Sequence, residues 1–317
     1  MNNSASPETS LLSVETWTAR AAAYSALITP MTDAFLKRRG IGKAHPVHDF
    51  LFTYYNCSPG KLSQWVPSYQ EHLIMTPELK SKYSWLDSYW FQEKENILSL
   101  DLTRVQKNTC ASLHFIGELC QNLLQRAPRF GCFGLHEWAM VYKLPPEALR
   151  HQLPLRLPSD QLAAFVESQN LCCSHYDAYR FFTKEARPLN IFDPLLETRL
   201  QMEQAGCIHA NMDLYKWSSK LWPWIGSDFL AKCFFLALEC RELDMRASPY
   251  DLKAYGCLPI PIETEEGRKE YQKRQQHLTE KSQILRRELL NFCQSFSAKG
   301  PDLFSGSSLS NHLSRLF

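Results

Sequence analysis

The chain has no excess of charge of one sign. Thirty-five lysines and arginines stand against thirty-three acidic residues, a formal net charge of +2 over 317 residues. A polyanion would therefore have to be attracted by a local groove, because the chain as a whole does not attract it. Long apolar runs are missing too. The richest stretch, "FLAKCFFLALEC" (Phe229 to Cys240), is interrupted by Lys232 and falls well short of the ~20 residues of a membrane span. No basic segment followed by an apolar one opens the sequence, so no secretory signal is expected and the chain reads as soluble and cytoplasmic. No two cysteines form a C-x-x-C pair, which argues against a zinc ribbon, and eleven cysteines make an odd number for a disulfide framework. They read as small apolar core residues kept reduced in a cytosol. There is no internal repeat, no G-x-G-x-x-G, no Walker loop and no H-E-x-x-H, which sets aside solenoids, the common nucleotide cradles and the zincins.

What the chain does have is enough apolar residue, 44%, to bury a sizeable core. Helical signals dominate. Residues 13–39 read as a helix that starts near Ser13 and Glu15, with a kink expected at Pro30 and a stop at Gly40. A second is expected over 101–126, where Leu113, Ile116, Leu119, Cys120 and Leu123 recur at three- and four-residue spacing. Others are expected over 198–220, 227–244 and 263–297, the last with charges of alternating sign that suit a solvated helix face. Between them, "CFGLHEWAMVY" (132–142) and "LCCSHYDAYRFF" (171–182) are aromatic, branched and bounded by turn residues, so they read as extended. The expected fold is α+β, predominantly α-helical, with a small central β-sheet or hairpin. It forms a single domain over 11–297 between loose, serine-rich tails at 1–10 and 298–317.

Three clusters carry the candidate chemistry: His136–Glu137, His175–Asp177 and His209–Asp213, each a histidine near a carboxylate among aromatics. In a strand, His175 and Asp177 share a face; in a helix, so do His209 and Asp213, and Trp217 continues their line. Such pairs serve as acid/base groups or as metal ligands. Buried imidazole–carboxylate pairs are costly unless fully satisfied, so three of them are most economically satisfied at one site. Neutral imidazole with carboxylate suits zinc, iron or manganese, and helical bundles present such ligands inward. In that reading the divalent ion takes its ligands from the three clusters, with His45, His48 and Asp49 of "AHPVHDFLFTYY" as a further set. A binding module whose polar clusters only organise the core is the non-catalytic alternative.

The blocks "HPVHDFLFTYY", "PRFGCFGLHEWAMVY", "CSHYDAYRFFTKEARPLN", "GCIHANMDLYKW" and "RELDMRASPYDL" closely resemble a family of bacterial proteins, frequent in actinobacteria, that carry the name 3-methyladenine DNA glycosylase. The resemblance runs from about His45 to Gln276. It lacks the glycine-rich hairpin of the helix-hairpin-helix glycosylases and is unlike the alkyladenine glycosylase folds. It implies excision of alkylated purines from damaged DNA in base-excision repair, by hydrolysis of the N-glycosidic bond and without a cofactor. Such an enzyme extracts the nucleotide, stacks the cationic base between aromatics and stabilises an oxocarbenium-like sugar with a carboxylate. The residues that fit are Glu137, Asp177 and Asp213 with His136, His175 and His209 as catalytic groups, and Trp138, Tyr176, Tyr215 and Trp217 as stacking rings. Arg180, Lys184, Arg187 and Lys216 would meet phosphates.

Overall fold

The computed structural model describes residues 9–55, 57–149 and 153–299. The expected tails fall mostly outside the described residues, although Ser10 already belongs to a strand and Ala298 still closes a helix. The architecture is α+β and mostly helical, with one small mixed sheet.

That sheet sits in the first third of the chain and not in the middle. Strands β1 (Ser10–Leu12), β2 (Glu71–Ile74), β3 (Phe91–Lys94) and β4 (Ile97–Leu100) lie in the order β1-β2-β4-β3. β1 runs parallel to β2, and the other pairings are antiparallel. Glu95 and Asn96, both at positive φ, close the β3–β4 hairpin as the twist of a two-residue turn requires. The two segments read as extended form short helices instead, Leu135–Ala139 and Tyr176–Tyr179. Their aromatic and branched residues reflect burial from several sides. Phe133 and Gly134, at φ +47 and +78, turn the chain into the first of them.

Five long helices carry the rest: α1 (Val14–Gly40), α2 (Lys107–Gln125), α3 (Ile208–Lys220), α4 (Ser227–Ala247) and α5 (Glu265–Ala298). The Ser13 hydroxyl accepts from Thr16 N–H at the start of α1, which then continues through Pro30. The Trp17 indole donates to the Ile74 carbonyl at 2.9 Å and ties α1 to the sheet. α2 begins later than its apolar period suggested, because Asp101 caps a separate single turn over Leu102–Arg104. The helix expected over 198–220 is broken: Arg199–Met202 forms one turn, and α3 restarts after Cys207. α3 packs on α4 and α5, and α5 packs on α2 and α4. Although charged, α5 buries a stripe that includes Tyr271, Leu278, Leu289 and Phe296. All eleven cysteines are free thiols, seven of them buried.

The close approach of the loop before α5 generates a prediction. A Cβ built on Gly267 would lie 1.9 Å from the Pro261 carbonyl oxygen. Gly267→Ala should therefore destabilise the protein by about 1–3 kcal/mol or more, even though alanine is the better helix former. Chemical denaturation checks it, and equal or higher stability would contradict the packing.

Candidate functional site

The three histidine–carboxylate clusters converge. His209 stands in the first turn of α3, and Asp213 and Trp217 follow at four-residue intervals on the same line. On α4, Arg241 and Asp244 lie three apart and face α3. The short helix at 135–139 brings His136 and Glu137, the one at 176–179 brings Asp177 with His175 just before it, and the turn at 199–202 brings Arg199 and Glu203. His136 Nε2 lies 2.7 Å from Asp244 Oδ1. The His209 ring stands edge-on to His136 at 4.4 Å and near-parallel to His175 at 5.5 Å, so it joins the two halves of the site. His175 Nε2 lies 3.2 Å from Asp213 Oδ2 and 3.6 Å from Glu203 Oε1.

Buried cations hold the carboxylates apart. Arg199 donates through Nε to Glu203 at 2.6 Å, through Nη2 to Asp213 at 2.9 Å and through Nη1 to Asp177 at 3.2 Å. Lys216 Nζ donates to Asp177 at 2.7 Å. Arg241 Nη1 donates to Glu137 at 2.8 Å and to Asp244 at 3.1 Å. Tyr55 donates its hydroxyl to the remaining oxygen of Asp213 at 3.3 Å. Five carboxylates thus share the buried Arg199 and Arg241 and the partly buried Lys216, with Arg180 3.3 Å from Asp177. Burial alone would raise the acids. For Asp213 this is outweighed by Lys216, His175 and Arg199, and for Asp244 by His136, His209 and Arg241, so both are held well below the usual carboxylate range. Burial likewise disfavours charge on His136, yet the ion pair with Asp244 wins and moves it upward. His209 goes the other way: burial, reinforced by the charge of His136, pushes it down to about 3, so it is a neutral imidazole.

Among the described residues, two triads bring potential ligand atoms within 4.8 Å of one another: His136, His209 and Asp244, and His175, Glu203 and Asp213. Arg199 already fills the second with its guanidinium. Buried atoms without a hydrogen-bond partner cluster here as well, namely His175 Nδ1, Glu203 Oε2, His209 Nδ1 and Arg241 Nε. Of the first triad, His209 reaches a cavity of about 280 Å³, which Glu137, Asp177, Arg241, Phe50, Tyr54, Phe181 and Tyr250 also line.

The remaining candidate residues lie elsewhere. Trp138, Tyr215 and Trp217 are buried core rings and not stacking surfaces; Trp138 donates to the Ala247 carbonyl, and Trp217 lies under Arg199 and Lys216. Tyr176 is half-buried and does not line the cavity. Lys216 points inward to Asp177, which removes it from the phosphate set, whereas Arg180, Lys184 and Arg187 are exposed on the segment that supplies the Phe181 wall. His45, His48 and Asp49 form a separate group: the two rings stack at 4.2 Å, and Asp49 accepts from Arg38 and from the His45 N–H. They do not join the triads. Sequence reasoning missed Arg199, Glu203, Arg241 and Asp244. The i,i+3 pair in "RELD" and the i,i+4 pair in "RLQME" were visible signals, but ion pairs at that spacing are common on solvated helices. Compared with protein-family models, with curated proteins and with solved structures, the chain gives no match.

A pH prediction follows from His209. Its unfolded value is 6.5 and its folded value about 3, so the unfolded chain binds the extra proton between them. Stability contributed by the neutral ring is complete above about pH 6.5 and is lost as the pH falls towards 3. The melting temperature of metal-free protein should drop across that window, and in His209→Gln the drop should be smaller. An identical pH profile for the two proteins would show that His209 is not held neutral.

Proposed function

We propose that the chain is a metal-dependent enzyme acting on a small molecule, with one divalent ion of the zinc, iron or manganese class held by His136, His209 and Asp244. The observation that carries the reading is the position of His209. It is neutral, its Nδ1 has no hydrogen-bond partner, and it stands where the buried triad meets the cavity. Two imidazoles and one carboxylate with an open side form the donor set of catalytic rather than structural ions. The charge inside points the same way, since the buried carboxylates outnumber the buried cations. A bound ion would supply Lewis-acid polarisation or an acidified water. The chain's own residues orient and shield. Arg241 fixes both Asp244 and Glu137, Glu137 and Asp177 present carboxylates to the cavity, and the aromatic walls limit water. A cavity of about 280 Å³ suits a small molecule. Elemental analysis of purified protein should find about one ion per chain, and His209→Ala should carry less than about a tenth of it, since losing a ligand should weaken binding by more than the roughly 10–100-fold typical of losing a supporting residue. Wild-type protein that takes up no ion from excess zinc, iron or manganese ends this reading.

The glycosylase reading keeps one specific support. Arg180, Lys184 and Arg187 are exposed beside the cavity's Ala178 and Phe181 wall, where a nucleic-acid backbone could lie while a base entered among the rings. Affinity for DNA carrying 3-methyladenine should then fall with salt with a log–log slope of about −2 to −3 for three phosphate contacts. The double variant Arg180→Ala/Arg187→Ala should flatten that slope. Absence of binding at low salt removes DNA as the substrate.

A further inference from the structure

His136 has two ring nitrogens, and the ion site uses one of them. Nε2 faces Asp244. Nδ1 points to the opposite side and meets the thiol of Cys132, with Sγ 3.6 Å away. The contact is built by the backbone. Phe133 and Gly134 take positive φ, the Leu135 N–H bonds back to the Cys132 carbonyl at 2.8 Å, and the chain folds so that residue 132 lies beside residue 136. Gly134 is needed there, because a Cβ on it would lie 3.1 Å from the Ala247 side chain on α4 in addition to the strain of its φ. The sulfur lines a small chamber with Cys172, Cys173 and Cys207, of which the Cys173 thiol donates to the His175 carbonyl.

We propose that Cys132 is a positioning residue for the metal centre, holding the His136 ring so that Nε2 faces the ion. The inference rests on the ion-binding reading given above. Its physical basis is that a thiol is both a weak donor and a weak acceptor. With no ion bound, the Asp244 carboxylate can only accept, so Nε2 carries a proton, and the Nδ1 side of the ring rests against the Cys132 thiol. When Nε2 gives its lone pair to an ion, the ring's one proton resides on Nδ1, which then donates to Sγ. The Nε2 proton leaves to solvent as the ion binds, and the thiol keeps its own. A methyl group could serve neither arrangement. A hydroxyl serves both, so serine is the conservative rescue. Partners on the far nitrogen of ligand histidines set ring orientation and tautomer, and their loss weakens metal binding.

The test uses the full chain with zinc chloride and a competing chelator. Cys132→Ala should raise the zinc Kd about 10–100-fold, while Cys132→Ser should stay within about threefold of wild type. Melting temperatures of the metal-free variants separate loss of affinity from loss of fold. A second measurement needs no substitution: in zinc-loaded wild type, nitrogen-15 shifts of His136 should show Nδ1 protonated and Nε2 bound. Equal zinc affinity in wild type and Cys132→Ala, or a bare Nδ1 in the loaded protein, overturns the inference while leaving the ion site standing. Wild type that binds no zinc overturns both.

Discussion

Five carboxylates inside a helical core can stay ionised only if cations are buried with them, and that constraint organises this protein. Arg199 meets it most directly: one guanidinium bonds Glu203, Asp213 and Asp177, which come from three different segments. Arg241 does the same between the short helix at 135–139 and α4. Removing one partner of such a group leaves an uncompensated buried charge at a cost of about 3–5 kcal/mol, so the ion pairs fix the register in which loop segments dock against α3 and α4. An apolar core of the same volume would hold the helices together at least as well. The polar network is better understood as what places particular atoms at the base of a cavity.

The two halves of the site differ in how they are satisfied. Around His175, the cation is supplied by the chain, and a second ion would meet the charge of Arg199. Around His209, Arg241 bonds both nearby acids, His136 pairs with Asp244 as well, and the His209 imidazole stays neutral. Glu137 and Asp177, each bonded to a cation, are the carboxylates that reach the cavity. The aromatic walls strengthen this by lowering the local dielectric, under which each charge interaction grows. Behind His136, the turn at Phe133–Gly134 extends the same logic one layer outward, setting a thiol against the nitrogen that the carboxylate does not use.

Much of this was legible residue by residue. The periodicity of Leu113, Ile116, Leu119 and Leu123 marked the buried face of α2, and the i,i+4 spacing of His209 and Asp213 placed both on one line of α3. The economy of satisfying three polar clusters together pointed to a shared site. Less was legible where local pattern and burial compete. Segments 132–142 and 171–182 carry strand-like composition, yet they turn as short helices because neighbours surround them on more than one side. Trp138, Tyr215 and Trp217 had the chemistry of stacking rings, but helix packing directs them into the core, and Phe50, Tyr54, Phe181 and Tyr250 face the cavity in their place.

By itself, the amino-acid sequence determined the helical predominance, the amphipathic face of α2, and the residue types able to bind an ion or move a proton. These depend on spacing within a few turns, where the backbone sets which side chains are neighbours. Only the tertiary structure decided which carboxylate meets which cation, that Asp244 and not Glu137 pairs with His136, and that His209 reaches the cavity as a neutral ring. Several of those outcomes join residues far apart in the chain, His136 and Asp244 by more than a hundred positions. Charge, burial and hydrogen bonding are properties of the neighbours that folding supplies, and no local pattern specifies them.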